Sequence, residues 1–360
     1  MRKYGVLVVD DSAFMRRAVG LLIERDPALY VAGIARNGVE ALDKLERLSP
    51  DVITMDVAMP VMDGLQALEK IMRERPVPVV MLSSQTGAGT KSTIRALELG
   101  AVDFFLKESL VADAPDEEAL RDFHTRLKIA ATAKVAGGAP AAGPAVVAGP
   151  TVHTAPEKAS AASRGVTKSG APAYDLLVIG CSTGGPSALQ AILPRIPEDY
   201  PAAVLVVQHM PPGFTGALAE RFNTICKLRV KEAEEGDPLR AGTIYFAPSG
   251  FQTTARKLAD GRVVLHVDEE PDMLYRPSVN VTLRSVAPVY RNRMLAVVLT
   301  GMGQDGLEGC RRVKANGGLV LTEAEQSCVV YGMPKAVYEA GLADAQAELP
   351  AMFSSIMAFL

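Results

Sequence analysis

Short apolar runs recur along the chain, each followed by a polar stretch and then by a segment whose apolar positions repeat at helical spacing. In the first third these runs are residues 6–9, 30–34, 52–55, 77–82 and 102–106. A second series follows at residues 176–179, 202–207, 242–246, 263–267, 294–299 and 319–321. Runs this short have the length of strands, and strands separated by helical segments predict βαβ units and mostly parallel sheets. Between 242 and 267 the runs are too closely spaced for crossover helices, so a local antiparallel insert is expected there.

The two series are separated by a change in texture. Residues 136–150 read AGGAPAAGPAVVAGP, thirteen of fifteen being Ala, Gly or Pro, and small or polar residues predominate as far as Ala173. Such a stretch buries too little apolar surface to offset its ordering entropy. The chain is therefore divided into a first domain at 1–125, a flexible Ala/Gly/Pro-rich linker at 126–173 and a second domain at 174–360. With 360 residues, 48% apolar, 22% charged and a formal net charge of −3, the composition is that of a soluble two-domain protein. The charge balance argues against a nucleic-acid partner. No apolar run reaches the ~18–20 residues of a membrane span. Asp10 and Asp11 end the first run too early for a secretion signal. Cys181, Cys226, Cys310 and Cys328 form no CxxC pair, so neither a zinc site nor a disulfide framework is expected, and the predicted location is the cytoplasm.

In open parallel sheets, ligands and chemistry sit just past the carboxyl ends of the strands. In the first domain those ends carry Asp10 and Asp11, Asp56, Ser83 and Lys107. Like-charged carboxylates at ~4 Å repel by roughly 1–4 kcal/mol per pair, and a hard divalent cation such as Mg²⁺ relieves that repulsion. The segments VVDDS, MDVAMPVMDG, MLSS and AVDFFLK resemble the receiver domain of bacterial response regulators. That resemblance implies a flavodoxin-like fold with Asp56 as phospho-acceptor. It also implies Mg²⁺ held by Asp10, Asp11 and Asp56, with Ser83 and Lys107 at the phosphoryl group and Phe104 as an aromatic switch. Glu108 departs from the pattern, standing where a proline commonly follows the lysine.

In the second domain the strand ends carry GCSTGG around Ser182, QHMPPG around His209 and TGMGQDG around Asp305. A strand, G-x-S-x-G and then a helix is the pattern of a sharply turned nucleophilic serine. A phosphate-cradling glycine loop is the rival reading, but GCSTGG fits neither G-x-G-x-x-G nor GxxxxGK[ST]. A serine hydroxyl needs a base. Of the four histidines, only His209 directly follows a strand that reads as buried. Asp305, in a glycine-rich loop, would orient that imidazole. Cys181 reads as a small buried neighbour.

The segments GCSTGG, QHMPPGFT, YFAPSG, RPSVN, LTGMGQDG and VVYGMPK resemble the catalytic domain of the chemotaxis protein-glutamate methylesterase (CheB) family. The fold class implied for the whole chain is α/β: two doubly wound parallel-sheet domains, a flavodoxin-like receiver and a Rossmann-like three-layer hydrolase. By resemblance Ser182 is the nucleophile, His209 the base and Asp305 its orienter, with the backbone amides of Thr183 and Met302 as oxyanion donors. Gln252 and Asn280 depart from residues common in the family. The resemblance further implies a phosphorylation-activated esterase without a cofactor in its catalytic domain. Its substrates would be methylated chemoreceptors, with methanol released and receptor glutamines deamidated. Its phosphodonor would be the chemotaxis histidine kinase, and it would be monomeric before phosphorylation. The competing readings are an output domain that binds a nucleotide and one that only docks.

Overall fold

The computed structural model of the chain describes residues 2–84, 86–110, 117–135, 174–270 and 273–360. Most of the expected linker, residues 136–173, therefore lies outside the described residues. The chain forms two compact units that part between residues 147 and 148.

The first unit has five strands: β1 (Tyr4–Val9), β2 (Leu29–Ala35), β3 (Val52–Asp56), β4 (Val79–Ser83) and β5 (Asp103–Leu106). Its helices are α1 (Ala13–Glu24), α2 (Gly38–Leu48), α3 (Gly64–Glu74), α4 (Gly87–Glu98), the short α5 (Lys107–Leu110) and α6 (Glu117–Ala130). The strands pair in parallel in the order β2-β1-β3-β4-β5. The central runs are apolar because helices flank such strands on both faces, and Val6 to Val9 are wholly buried. Strand order reverses between β1 and β3, which opens a crevice beyond their carboxyl ends. Side chains cap the helices that return from the sheet: Ser12 accepts from Met15 N, and Asp63 with Gln66 closes a capping box on α3.

The boundary expected at residue 125 falls inside α6. This helix runs on to Ala130 because Phe123, Leu127 and Ala130 form a buried face. Arg126 is anchored to Asp103, and His124 hydrogen-bonds the Leu22 carbonyl at 2.7 Å.

The second unit is built on β6 (Leu176–Cys181), β7 (Ala203–Gln208), β8 (Arg229–Glu232), β9 (Thr243–Phe246), β10 (Gln252–Lys257), β11 (Val263–Asp268), β12 (Met294–Val298), β13 (Leu319–Glu323) and β14 (Ala345–Ala347). Its α-helices are α7 (Gly185–Ile192), α8 (Phe214–Ile225), α9 (Val279–Tyr290), α10 (Leu307–Ala315), α11 (Met333–Glu339) and α12 (Leu349–Ala358). Seven strands pair in parallel in the order β14-β13-β12-β6-β7-β9-β8. The order reverses at the β12–β6 junction, so the ends of β6, β7 and β12 border one crevice.

The antiparallel insert is smaller than the sequence spacing suggests. Only β10 and β11 form it, whereas β9 joins the parallel sheet between β7 and β8. Strands β8, β10 and β14 escape the apolar pattern because they lie at sheet edges or in the hairpin, where Arg229 of β8 and Arg256 and Lys257 of β10 keep their charged ends in water. Among the described residues no helix is long and apolar enough to cross a membrane.

Val61, in the loop after β3, has φ +68° and is 85% exposed. A β-branched residue in the left-handed region costs on the order of 1–2 kcal/mol, and no burial offsets it here. Val61→Asn should therefore stabilise the first unit by about 1 kcal/mol, because Asn tolerates this conformation. The check is a higher urea midpoint at unchanged slope, and a lower midpoint would show that Val61 is not strained.

Candidate active site

In the first unit the crevice between β1 and β3 collects charge. One ligand atom from each of Asp10, Asp11 and Asp56 lies within 4.8 Å of the others. Lys107, just past β5, places Nζ 2.8 Å from both Asp10 and Asp56. A single ammonium leaves this pocket net negative. Burial pushes the Asp56 carboxyl above its ordinary range, and Lys107 offsets this only in part. Burial acts in the opposite sense on Lys107, but its two carboxylate partners outweigh it and hold the ammonium charged. Hard carboxylate oxygens converging beside an open edge are a donor set suited to Mg²⁺.

Among the described residues Ser83 makes no hydrogen bond to that cluster. Its buried hydroxyl accepts from Thr93 Oγ1 of α4 at 2.5 Å. Phe104 is buried on β5 at 3% exposure. Thr93 left no signal in the sequence, because a threonine on a helix face reads as surface.

In the second unit Ser182 follows β6 directly, and its amide donates to the Thr300 carbonyl at 3.0 Å. Cys181 points the other way, wholly buried, with its thiol on Gln208 Oε1 at 3.0 Å. Burial pushes that thiol up, so it carries no thiolate nucleophile.

Gln208, the last residue of β7, ties the site together. Its Nε2 donates to the Ser182 carbonyl at 3.0 Å and to the His209 carbonyl at 2.9 Å. One amide thereby fixes the turns that carry both side chains. Gly185 makes room for it, since a Cβ there would run into Gln208 Oε1. The third turn follows β12. A Cβ on Gly301 would stand 2.9 Å from Ser182 Cβ, so only glycine lets this loop lie against the serine. Thr300 anchors the loop through Oγ1, which donates to the Thr183 carbonyl at 3.0 Å, and through N, which donates to Glu323 Oε2 at 2.8 Å. Glu323 closes β13 and is wholly buried, and burial raises its carboxyl despite these bonds.

His209 Nε2 lies 2.8 Å from Asp305 Oδ2. The same carboxylate accepts from Val279 N at 2.7 Å, Asn280 N at 2.9 Å and Ser278 Oγ at 2.9 Å. It thus sits on the first amides of α9. Burial alone would raise Asp305, but His209 and the Asn280 and Val279 amides prevail and keep the carboxyl below its ordinary range. Tyr275 stacks flat on the imidazole, with centroids 4.5 Å apart and planes inclined by 4°. With Nε2–H committed to an anionic Asp305, the neutral ring carries its lone pair on Nδ1, which is buried and without a partner. Ser182 and His209 share no hydrogen bond among the described residues, as is common before substrate tightens such contacts. The arrangement offers a hydroxyl, a base held in one tautomer, and a glycine-lined loop beside both.

Three of the supporting residues were within reach of the strand-end rule. Gln208, Thr300 and Glu323 are polar residues closing or following apolar runs. Tyr275 and Ser278 belong to an irregular segment and carry no periodic signal. Asn280 turns its Oδ1 to Gly306 N and Gly309 N, at 3.1 and 2.7 Å, and so positions the start of α10.

Because Asp56 is raised by burial, its ionised form works against folding. The cost is absent below the ordinary carboxylate range and grows as pH rises through the folded-state value. Asp56→Asn should therefore raise the first unit's melting temperature at neutral pH without divalent cations, with the gain vanishing toward pH 3. Equal melting at neutral pH would refute this. Gln208→Glu keeps the shape but removes both donors. It should slow fluorophosphonate labelling of Ser182 about tenfold or more with the fold intact, and an unchanged rate would show that the clamp is dispensable.

The catalytic-unit residues 177–356 match the family model described as CheB methylesterase, and residues 6–114 match the response regulator receiver domain. A protein-glutamate methylesterase/protein-glutamine glutaminase of Oleidesulfovibrio alaskensis is 43% identical over 362 residues, covering 98% of each chain. One from Symbiobacterium thermophilum is 46% identical over 344 residues, covering 95% of this chain and 93% of its own. Among solved structures, the Thermotoga maritima CheB methylesterase catalytic domain is 41% identical with a TM-score of 0.50, covering 52% of this chain and 99% of that one. With both family models matched in order and relatives aligned from end to end, the chain belongs to the CheB methylesterase family, its catalytic unit preceded by a response regulator receiver domain.

Proposed function

We propose that this chain is a phosphorylation-activated serine hydrolase that cleaves glutamate methyl esters on chemoreceptors, releases methanol, and deamidates receptor glutamines at the same site. The observation that carries this reading is the His209 imidazole, fixed by Asp305 through Nε2 with a bare Nδ1, between the turns that Gln208 ties together.

Ser182 Oγ attacks the ester carbonyl as His209 Nδ1 takes its proton. Asp305 stabilises the imidazolium that forms. The oxyanion develops toward the backbone amides of Thr183 and Met302, on the two turns that Thr300 holds together. Collapse expels methanol, which leaves with the proton from Nδ1, and an acyl-enzyme remains. Water, deprotonated by the same nitrogen, then releases the glutamate. A glutamine side chain follows the same course with ammonia leaving, because both substrates share one acyl-enzyme.

In the receiver, Asp56 is the phospho-acceptor. Asp10, Asp11 and Asp56 would hold Mg²⁺, which would supply positive charge to neutralise the transferring phosphoryl group. Lys107 already reaches Asp56, and Ser83 and Phe104 reorganise when the phosphoryl group adds about −1.5 to −2 charges. The phosphodonor is the chemotaxis histidine kinase. The enzyme works in the cytoplasm as a monomer before phosphorylation.

The test is methanol release from methylated receptor membranes. Ser182→Ala or His209→Ala should lower turnover by on the order of 10⁴ or more without unfolding the protein. Retention of more than about a tenth, under ~1.4 kcal/mol of barrier, would contradict the assignment. A small phosphodonor with Mg²⁺ should stimulate the wild type and leave Asp56→Asn unchanged. Equal stimulation of both would place the acceptor elsewhere.

A further inference from the structure

A groove of about 840 Å³ opens beside the triad, with Asp305 in its lining. Tyr275, the residue stacked on His209, lines it together with Met273 and Leu274. Leu274 is 72% exposed and Met273 37%. Arg284 on α9 and Lys335 and Glu339 on α11 line the same groove. Arg284 is exposed and has no ion-pair or hydrogen-bond partner among the described residues. Lys335 is exposed and only loosely paired with Glu339, at 3.8 Å.

Both cations sit close to the reaction by construction. Arg284 lies one helical turn, about 6 Å, beyond Asn280, whose amide holds Asp305. Lys335 is two residues from Met333, whose amide donates to the Gly301 carbonyl at 2.9 Å. The groove therefore presents exposed apolar side chains and two exposed cations, of which Lys335 is shared with Glu339 and Arg284 is not, to whatever carries the scissile ester. An amphipathic helix has the matching pattern. If one of its glutamyl esters reaches Ser182, its residues one and two turns away lie about 5.4 and 11 Å along the axis.

Resting on the methylesterase reading above, we propose that this groove seats the receptor helix beside its esterified glutamate. Arg284 and Lys335 select helices whose side chains one or two turns from the ester are acidic. Met273 and Leu274 cover the apolar stems of that helix. The cations act on encounter and binding rather than on the bond-breaking step, because charges at the rim of an interface steer association and are screened by salt.

The experiment compares the full-length wild type with the doubly reversed Arg284→Glu, Lys335→Glu chain. One readout is methanol release from methylated receptor membranes at low and high salt, and the other is fluorophosphonate labelling of Ser182. Reversal should lower kcat/KM on receptors about tenfold, through KM, with the gap narrowing at high salt and labelling unchanged. The neutral Arg284→Gln, Lys335→Gln chain should fall between. Receptor turnover unaffected by reversal overturns the groove assignment. If reversal also slows labelling, the neutral pair decides: normal labelling with wild-type receptor turnover overturns the groove, and normal labelling with raised KM supports it. A wild type that labels at Ser182 yet releases no methanol from receptors overturns the substrate reading and the groove's occupant with it.

Discussion

The Asp305 carboxylate accepts five hydrogen bonds, from the Val279, Asn280 and Gly306 amides, the Ser278 hydroxyl and the His209 ring. Four of those donors come from the starts of α9 and α10, so the group that holds the His209 ring is also the group that satisfies two helix ends. A buried anion survives only with such partners. Everything else in the catalytic unit follows from holding it there. The ring is committed through Nε2, its base nitrogen is Nδ1, and the strand ends of β6, β7 and β12 must meet around that ring. Gln208 and Thr300 bring them together through side-chain donors that bond the backbone carbonyls of Ser182, His209 and Thr183.

The receiver faces the opposite electrostatic problem. Among the described residues Lys107 is the one cation paired with its carboxylates, Arg16 bonding only the Asp10 and Asp11 carbonyls, and burial disfavours the charge on Asp56. That imbalance is stored at the strand ends, where the proposed reading places a metal ion and a phosphoryl group. One unit neutralises its buried acid internally and keeps it permanently charged. The other leaves its acids under-compensated and so remains responsive. The same parallel-sheet architecture serves both, because each places its polar residues past the carboxyl ends at a point where strand order reverses.

Much of this was legible in the sequence for a physical reason. Central strands buried on both faces are continuous apolar runs, so β1, β3, β6, β7 and β12 stand out and the polar residues after them mark the crevices. Asp10, Asp56, Ser182, His209 and Asp305 were all singled out as candidates by that rule. Edge strands such as β8 keep charged side chains and were invisible, and β9 was misplaced because its neighbours in sequence form a hairpin that it does not join. Tyr275 was also invisible, since a stacking partner supplied by an irregular segment depends on where that segment folds back. The end of α6 was set by packing of Phe123, Leu127 and Ala130, which overrode the change in composition used to place the boundary.

Nδ1 of neutral His209 is free to take the serine proton only if Asp305 holds the ring's own proton on Nε2. Nitrogen NMR of histidine-labelled protein at a pH where the ring is neutral measures this directly, with the His209 signals assigned by their loss in His209→Gln. A proton-bearing Nε2 coupled to its hydrogen, with a bare Nδ1, is the predicted result. A neutral ring protonated on Nδ1 would contradict it, because the nitrogen left to accept the serine proton would then be the one that faces Asp305.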